Sequence, residues 1–234
     1  PATRGEVALA IRKHRLQDMT LASYVEQTAF PSANGAANDR DAHASLVQLL
    51  QGQDYLDFFR AAVAARKTIL ISGGTSSGKT TLLNALLKEI PKHERVIAIE
   101  DTPEIRLGSD NAVGLVAVAG DQGESKVTVD DLLRASLRMR PDRLIVGELR
   151  GSETVGFLRA INTGHPGSIS TVHSNSPQGA LEQIAFMCMQ AGLGLGRDET
   201  VAYARSMIDV IIQLDRHSGQ RTISKIELLN SFAG

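Results

Sequence analysis

At 234 residues the chain is long enough to bury one substantial α/β core with a small appendage. With 22% charged and 42% hydrophobic residues and a formal net charge of −1, its composition is that of an ordinary globular protein, and bulk charge makes no case for binding DNA or RNA. The single cysteine, Cys188, excludes an internal disulfide, and no apolar run is long enough to cross a bilayer.

Glu6-Val7-Ala8-Leu9-Ala10-Ile11-Arg12 alternates as a strand does, yet no neighbouring strand in sequence can pair with it. The expectation is that residues 1–30 are the C-terminal remnant of an N-terminal domain, or that this strand pairs with another subunit. Leu21 to Phe30 has the pattern of a short helix behind a Thr20 cap. Small polar residues from Pro31 to Asp39 predict an exposed linker, 31–45 in all, ahead of a main domain at 46–234. One helix is predicted from Leu46 to Arg66, with Leu49, Leu56, Phe59 and Val63 on its apolar face and Gly52 weakening its first turns.

The β-branched run Thr68-Ile69-Leu70-Ile71 leads into Gly73-Gly74-Thr75-Ser76-Ser77-Gly78-Lys79-Thr80-Thr81, and an apolar-periodic segment follows from Leu82 to Leu87. Strand, glycine loop and helix in that order make a phosphate-binding P-loop. Its glycines turn backbone N–H groups inward around phosphate oxygens, and the helix start adds donors and a positive dipole end. Lys79 reaches the β and γ phosphates and the Thr80 hydroxyl ligates Mg²⁺, so the pattern points to a nucleoside triphosphate such as ATP.

Next, Ile97-Ala98-Ile99-Glu100-Asp101-Thr102-Pro103-Glu104 sets three acids at the end of a buried strand, where open α/β sheets place ligands. Glu100 or Glu104 can orient and deprotonate an attacking water, and Asp101 can hold Mg²⁺ through water; spacing alone does not choose between them. Val113 to Val118 reads as an extra strand, and Val129 to Met139 as a helix that Pro141 ends. Arg138, Arg140 and Arg143 suit a phosphate clamp across a subunit boundary, or an ion-pair network at the helix end.

In Leu144-Ile145-Val146-Gly147-Glu148-Leu149-Arg150-Gly151 an apolar strand ends in an acid. Glu148 there can bind Mg²⁺-bound water or polarise the hydrolytic water, Gly147 permits close approach to the nucleotide, and Arg150 can pair with an acid. His165 and His173 bracket the strand Ser168 to Val172; His173, at its C-terminal end, can sense a γ phosphate by hydrogen bonding. Cys188 lies in an apolar segment as a buried small hydrophobe, which speaks against a zinc site with the scattered histidines. Gly192, Gly194 and Gly196 break a helix at a flexible connection, and Asp209–Asp215 with Arg221–Leu228 reads as an antiparallel hairpin on the sheet's edge. Near-continuous apolar strands between helices predict a mainly parallel sheet covered on both faces.

Together, GGTSSGKT, IEDTPEI, LRMRPDRLIVGELRG and GHPGSISTVHSNSP, with EVALAIRK before them, resemble the secretion-traffic ATPases over about Glu6 to Leu228. The likeness is to the hexameric ATPase of bacterial type IV secretion, with type II secretion and pilus motors more distant. It implies a RecA-like P-loop NTPase motor domain at 46–234, assembled as a homo-hexamer with ATP between N- and C-terminal domains. By that likeness Lys79 and Thr80 bind phosphate and Mg²⁺, Glu104 and Glu148 serve hydrolysis, and His173 belongs to a sensing box. Arg12 would approach the phosphates from the N-terminal domain, and Arg138 and Arg140 would serve the nucleotide or an interface. The more distant relatives usually carry a four-cysteine zinc module, which one cysteine cannot build, so the resemblance favours the type IV branch. It implies a location peripheral to the cytoplasmic face of the inner membrane. Inner-membrane components, coupling ATPases and a secreted protein or DNA–protein substrate are the implied partners, with direct nucleic-acid binding left open. A nucleic-acid-translocating RecA-like ATPase and a non-hydrolysing nucleotide-dependent scaffold are the alternatives.

Overall fold

The computed structural model describes residues 3, 36–118, 127–217 and 220–229. The expected N-terminal strand with Arg12, the helix Leu21–Phe30 and residues 31–35 of the expected linker lie outside these residues. In chain order the elements are α1 (Ala36–Gln51), α2 (Tyr55–Ala64), β1 (Ile69–Gly73), α3 (Lys79–Leu87), β2 (Val96–Glu100), β3 (Ala112–Val116) and α4 (Val129–Ser136). They continue with β4 (Arg143–Leu149), α5 (Glu153–Asn162), β5 (Ile169–Val172), α6 (Pro177–Gln190), α7 (Arg197–Met207), β6 (Val210–His217) and β7 (Gln220–Leu228).

The seven strands form one sheet in the order β3-β2-β4-β5-β1-β6-β7. Neighbours run parallel except β6 and β7, which form the expected edge hairpin. The apolar strands divide by parity, because successive side chains leave a pleated strand on opposite faces. Ile69, Ile71, Ala98, Ile145 and Ile212 pack with Phe58, Ala62 and Val63 of α2 and Leu83 and Leu86 of α3. Leu70, Ile97, Ile99, Leu144, Val146 and Ile211 pack instead with Leu133 of α4, Phe157 of α5, Ile184 of α6 and Ala204 of α7. Two buried cores sandwich one sheet, as the unbroken hydrophobic runs predicted.

Two expectations near the start need correction. Residues 36–45 are not an irregular linker: they belong to α1, whose Leu46 is buried against the sheet's α2–α3 face. Ala36, Ala37, Ala42 and Ala44 are good helix formers, so small size there signals helix rather than looseness. Nor does one helix run from Leu46 to Arg66. The Gly52 amide closes α1 on the Gln48 carbonyl, Gln53 turns left-handed with φ 59°, and α2 begins afresh at Tyr55. Helices α5 and α7 had no counterpart in the sequence reading.

The later breaks follow the predicted punctuation. A 3₁₀ turn at Leu137–Met139 extends α4 toward Pro141, and Gly192 and Gly194, both with positive φ, follow α6. Cys188 is buried in that helix, and burial pushes its thiol pKa up to about 11, so it behaves as a small apolar group. An isolated antiparallel bridge joins Thr3 to Leu115 of β3. Between β4 and β5 the register slips by one: Val146 stands opposite Ser170, and Leu149 opposite Val172. This β-bulge contains Gly147 and Glu148 and returns Leu149 to the same core as Val146.

Candidate active site

The loop after β1 closes tightly because Gly73 has no side chain. A Cβ there would lie 2.5 Å from Ser77 Oγ and 2.7 Å from the Leu214 carbonyl oxygen. Gly78, with φ 100°, turns the chain into α3. The first-turn amides of that helix have no preceding carbonyl to bond, and they face a pocket of about 420 Å³. The pocket is lined by loop residues 74–81, by the acidic turn after β2, by Gly147, Glu148 and Arg150, by Thr171 and His173, and by Arg221.

Lys79 is buried at the pocket's base. Its Nζ donates to the carbonyl oxygens of Gly73 (2.9 Å) and Gly74 (3.3 Å), and stands 3.3 Å from His173 Nδ1 and 3.7 Å from Glu148 Oε1. Burial lowers the lysine pKa, and the Glu148 carboxylate works against that shift. Glu148, whose side chain is only 11% exposed, has its Oε1 2.9 Å from His173 Nε2 while Oε2 accepts from Arg150. The Arg150 guanidinium also grips Asp101, tying the acidic turn to the end of β4.

Glu100 and Glu104 have different tasks. Glu100 is buried, and its Oε1 accepts backbone N–H bonds from Glu104 (2.8 Å) and Ile105 (2.7 Å), so it shapes the turn. Glu104 is exposed, and its Oε2 accepts from Thr80 Oγ1 at 3.1 Å. Asn84 of α3, which the sequence reading missed, fastens this turn by donating to the Glu104 carbonyl and accepting from the Arg106 amide. Its position one helical turn after Thr80 was the available signal.

The structure brings Lys79, Thr80, Glu100, Asp101, Glu104, Glu148 and His173 into one pocket with the loop residues Gly74 to Thr81, and Gly73 supplies the carbonyl beneath them. It does not bring Arg138 or Arg140 there. Both precede the N-terminal end of β4, whereas Glu148 stands near its C-terminal end, roughly 20 Å along a strand rising about 3.3 Å per residue. Arg143 is buried in an ion pair with Glu94. His165 sits 3.0 Å, through Nδ1, from the Pro141 carbonyl oxygen and serves the turn before β5. Arg221, also unforeseen, reaches the pocket from β7, far along the chain from every loop motif.

This donor set fits a magnesium–triphosphate pair. Loop amides and Lys79 offer N–H donors to phosphate, while Thr80 Oγ1, Glu104 and the nearby Asp101 and Glu148 offer hard oxygen ligands directly or through water. Such a cation takes one or two carboxylates plus substrate phosphates rather than a closed protein cage.

Residues 39–226 match the family model described as type II/IV secretion system protein. The chain is 37% identical over 237 residues to the type IV secretion system protein VirB11 of Bartonella quintana (strain Toulouse), covering 95% of this chain and 67% of that one. It is 39% identical over 221 residues to the type IV secretion system protein PtlH of Bordetella pertussis (strain Tohama I), covering 92% and 65%. Among solved structures, that of the VirB11 ATPase from the Brucella suis type IV secretion system in complex with sulphate matches with a TM-score of 0.83 and 32% identity, over 93% of this chain and 65% of that one. The chain therefore spans about two thirds of the length of these relatives.

Proposed function

Because this chain belongs to the type II/IV secretion system protein family, we propose that it is the ATP-hydrolysing motor of a bacterial type IV secretion or conjugation system, powering assembly of the apparatus or pilus and transfer of substrate. One observation carries the chemistry: the Glu148 carboxylate stands 2.9 Å from His173 Nε2 and 3.7 Å from Lys79 Nζ at the mouth of the P-loop.

ATP enters with its phosphates against the amides of residues 74–80, and Lys79 exchanges carbonyl contacts for phosphate oxygens. Thr80 and Glu104 would hold a Mg²⁺ ion, with Asp101 reaching it through water, and the ion would neutralise phosphate charge. Glu148 orients the attacking water and accepts its proton as the water oxygen bonds to the γ phosphorus. The bond from that phosphorus to the β–γ bridging oxygen breaks, leaving ADP and phosphate. His173 hydrogen-bonds the γ phosphate and registers its loss.

Glu148→Gln keeps the shape and removes the proton acceptor. Turnover should fall by roughly 10²–10⁴-fold while ATP affinity stays within a few-fold. Lys79→Ala should instead weaken nucleotide binding itself, by roughly tenfold or more. Hydrolysis by the Glu148→Gln protein at the parental rate, measured as phosphate release, would remove the assignment.

The finer reading rests on the family. The motor works as a homo-hexamer with ATP between N- and C-terminal domains, and Arg12 approaches the phosphates from the N-terminal side. Arg138 and Arg140, which precede the N-terminal end of β4 rather than lining this chain's own pocket, serve a subunit boundary. The ring sits peripherally on the cytoplasmic face of the inner membrane, alongside inner-membrane components and coupling ATPases, and moves a secreted protein or DNA–protein substrate.

A further inference from the structure

Among the described residues three cationic side chains, those of Lys79, Arg150 and Arg221, line the nucleotide pocket, and two are already engaged. Lys79 is held by two carbonyls and by Glu148, and Arg150 by Glu148 and Asp101. Arg221 differs: it is exposed, and among the described residues no carboxylate meets it. Its side chain lies across the amino end of α3. A Cβ built on Gly78 would come within 3.1 Å of Arg221 Cδ and within 3.8 Å of Nε and a terminal nitrogen. In the β6–β7 ladder Arg221 stands directly opposite Arg216, a like-charge pair that disfavours the hairpin until an anion comes between it and the loop.

Topology says which part of a nucleotide that anion belongs to. The acids and His173 arrive from β2, β4 and β5, on one side of β1; Arg221 arrives from β7, on the other side. Water attack on the terminal phosphorus is confined to the first side, where Glu148 stands. We propose that Arg221 is a binding residue for the α and β phosphates of the nucleotide, supplied by the C-terminal hairpin and remote from the reacting phosphoryl group. This rests on the pocket's being a nucleoside-triphosphate site. It adds to that reading a contact that ATP and ADP share equally. The hairpin thereby holds the product as firmly as the substrate, and the γ-phosphate side alone distinguishes them.

The test is binding of fluorescent ADP, displaced in turn by unlabelled ADP and by a non-hydrolysable ATP analogue, to the intact protein and its variants. Arg221→Ala and Arg221→Gln should weaken both ligands by the same factor, roughly tenfold, since a charge-assisted contact is lost equally from each. In turnover the same variants should raise KM and leave kcat within about twofold, which is the signature of uniform binding. Arg221→Lys should recover part of the affinity, and the melting temperatures of Arg221→Ala and Arg221→Gln should equal or exceed the parent's because the Arg216 repulsion is relieved. Lys225→Ala, on the same strand but paired with Glu227, should change none of these. Unchanged ADP affinity in Arg221→Ala overturns the proposal, as does a loss confined to the ATP analogue or a fall in kcat at unchanged KM. If Lys79→Ala also binds ADP like the parent, the nucleotide reading itself fails. If Lys79→Ala weakens binding and Arg221→Ala does not, only the role of Arg221 fails.

Discussion

Arg143 carries a full charge into the sheet, where it is completely buried, and Glu94 meets it with both carboxylate oxygens at 2.6 and 3.0 Å. Arg66 adds a third contact to the same carboxylate at 2.9 Å. The Arg143 hydrogen bond, with Arg66 behind it, outweighs burial and holds the Glu94 pKa at about 2 instead of 4.5. Because the folded value lies below the ordinary one, this group stabilises the fold above about pH 4.5 and loses that contribution as pH falls toward 2. Chemical denaturation across that window should show roughly 3 kcal/mol disappearing. Glu94→Ala should cost about 3–5 kcal/mol at neutral pH, because Arg143 then stays buried without a partner, and should flatten the acid limb. Gly167, inside the histidine box, belongs to this pair as well: a Cβ there would lie 2.7 Å from an Arg143 terminal nitrogen. In the sequence Arg138, Arg140 and Arg143 offered the same chemistry, and nothing in residue type separated a buried strut from a phosphate clamp. Their distance from the strand's far end did, once β4 was known to start at Arg143.

Strands were legible because burial on both faces leaves runs such as Val96-Ile97-Ala98-Ile99 with no polar interruption. The tail of the histidine box also holds a helix start that the sequence reading did not use: Ser176 Oγ accepts from the Gly179 amide, and Pro177 occupies the first helical position of α6. Ser176→Ala should therefore lower stability by about 1 kcal/mol in a denaturant melt while leaving ATP turnover alone. The region before β1 misled because alanine and glycine are both small yet act oppositely. Alanines at 36, 37, 42 and 44 sustain α1, and Gly52 ends it. Arg221 was illegible for another reason. A hairpin announces its own turn, but which loop its side chains cover depends on β6 lying beside β1, a pairing between segments about 140 residues apart (Ile69 with Val210).

Across the whole molecule, the sheet order sets β1 between β5 and β6, so the phosphate loop takes one wall from the middle of the chain and the other from its last strands. Arg138 and Arg140 remain before the N-terminal end of β4, at the opposite end of the strands from the pocket. Native mass measured on the intact protein with MgATP should be six times that of the protomer, and a monomer under those conditions would remove the ring. The slip between β4 and β5 has its own consequence. Two residues, Gly147 and Glu148, fill a stretch where even pairing would seat one, and Leu149 still finds its apolar neighbours. The surplus residue allows an acid to be carried at the strand's tip without surrendering a hydrophobic seat. What this strand does is thus written in how many residues it has as much as in which ones, a constraint of arithmetic that no tally of side-chain types would reveal.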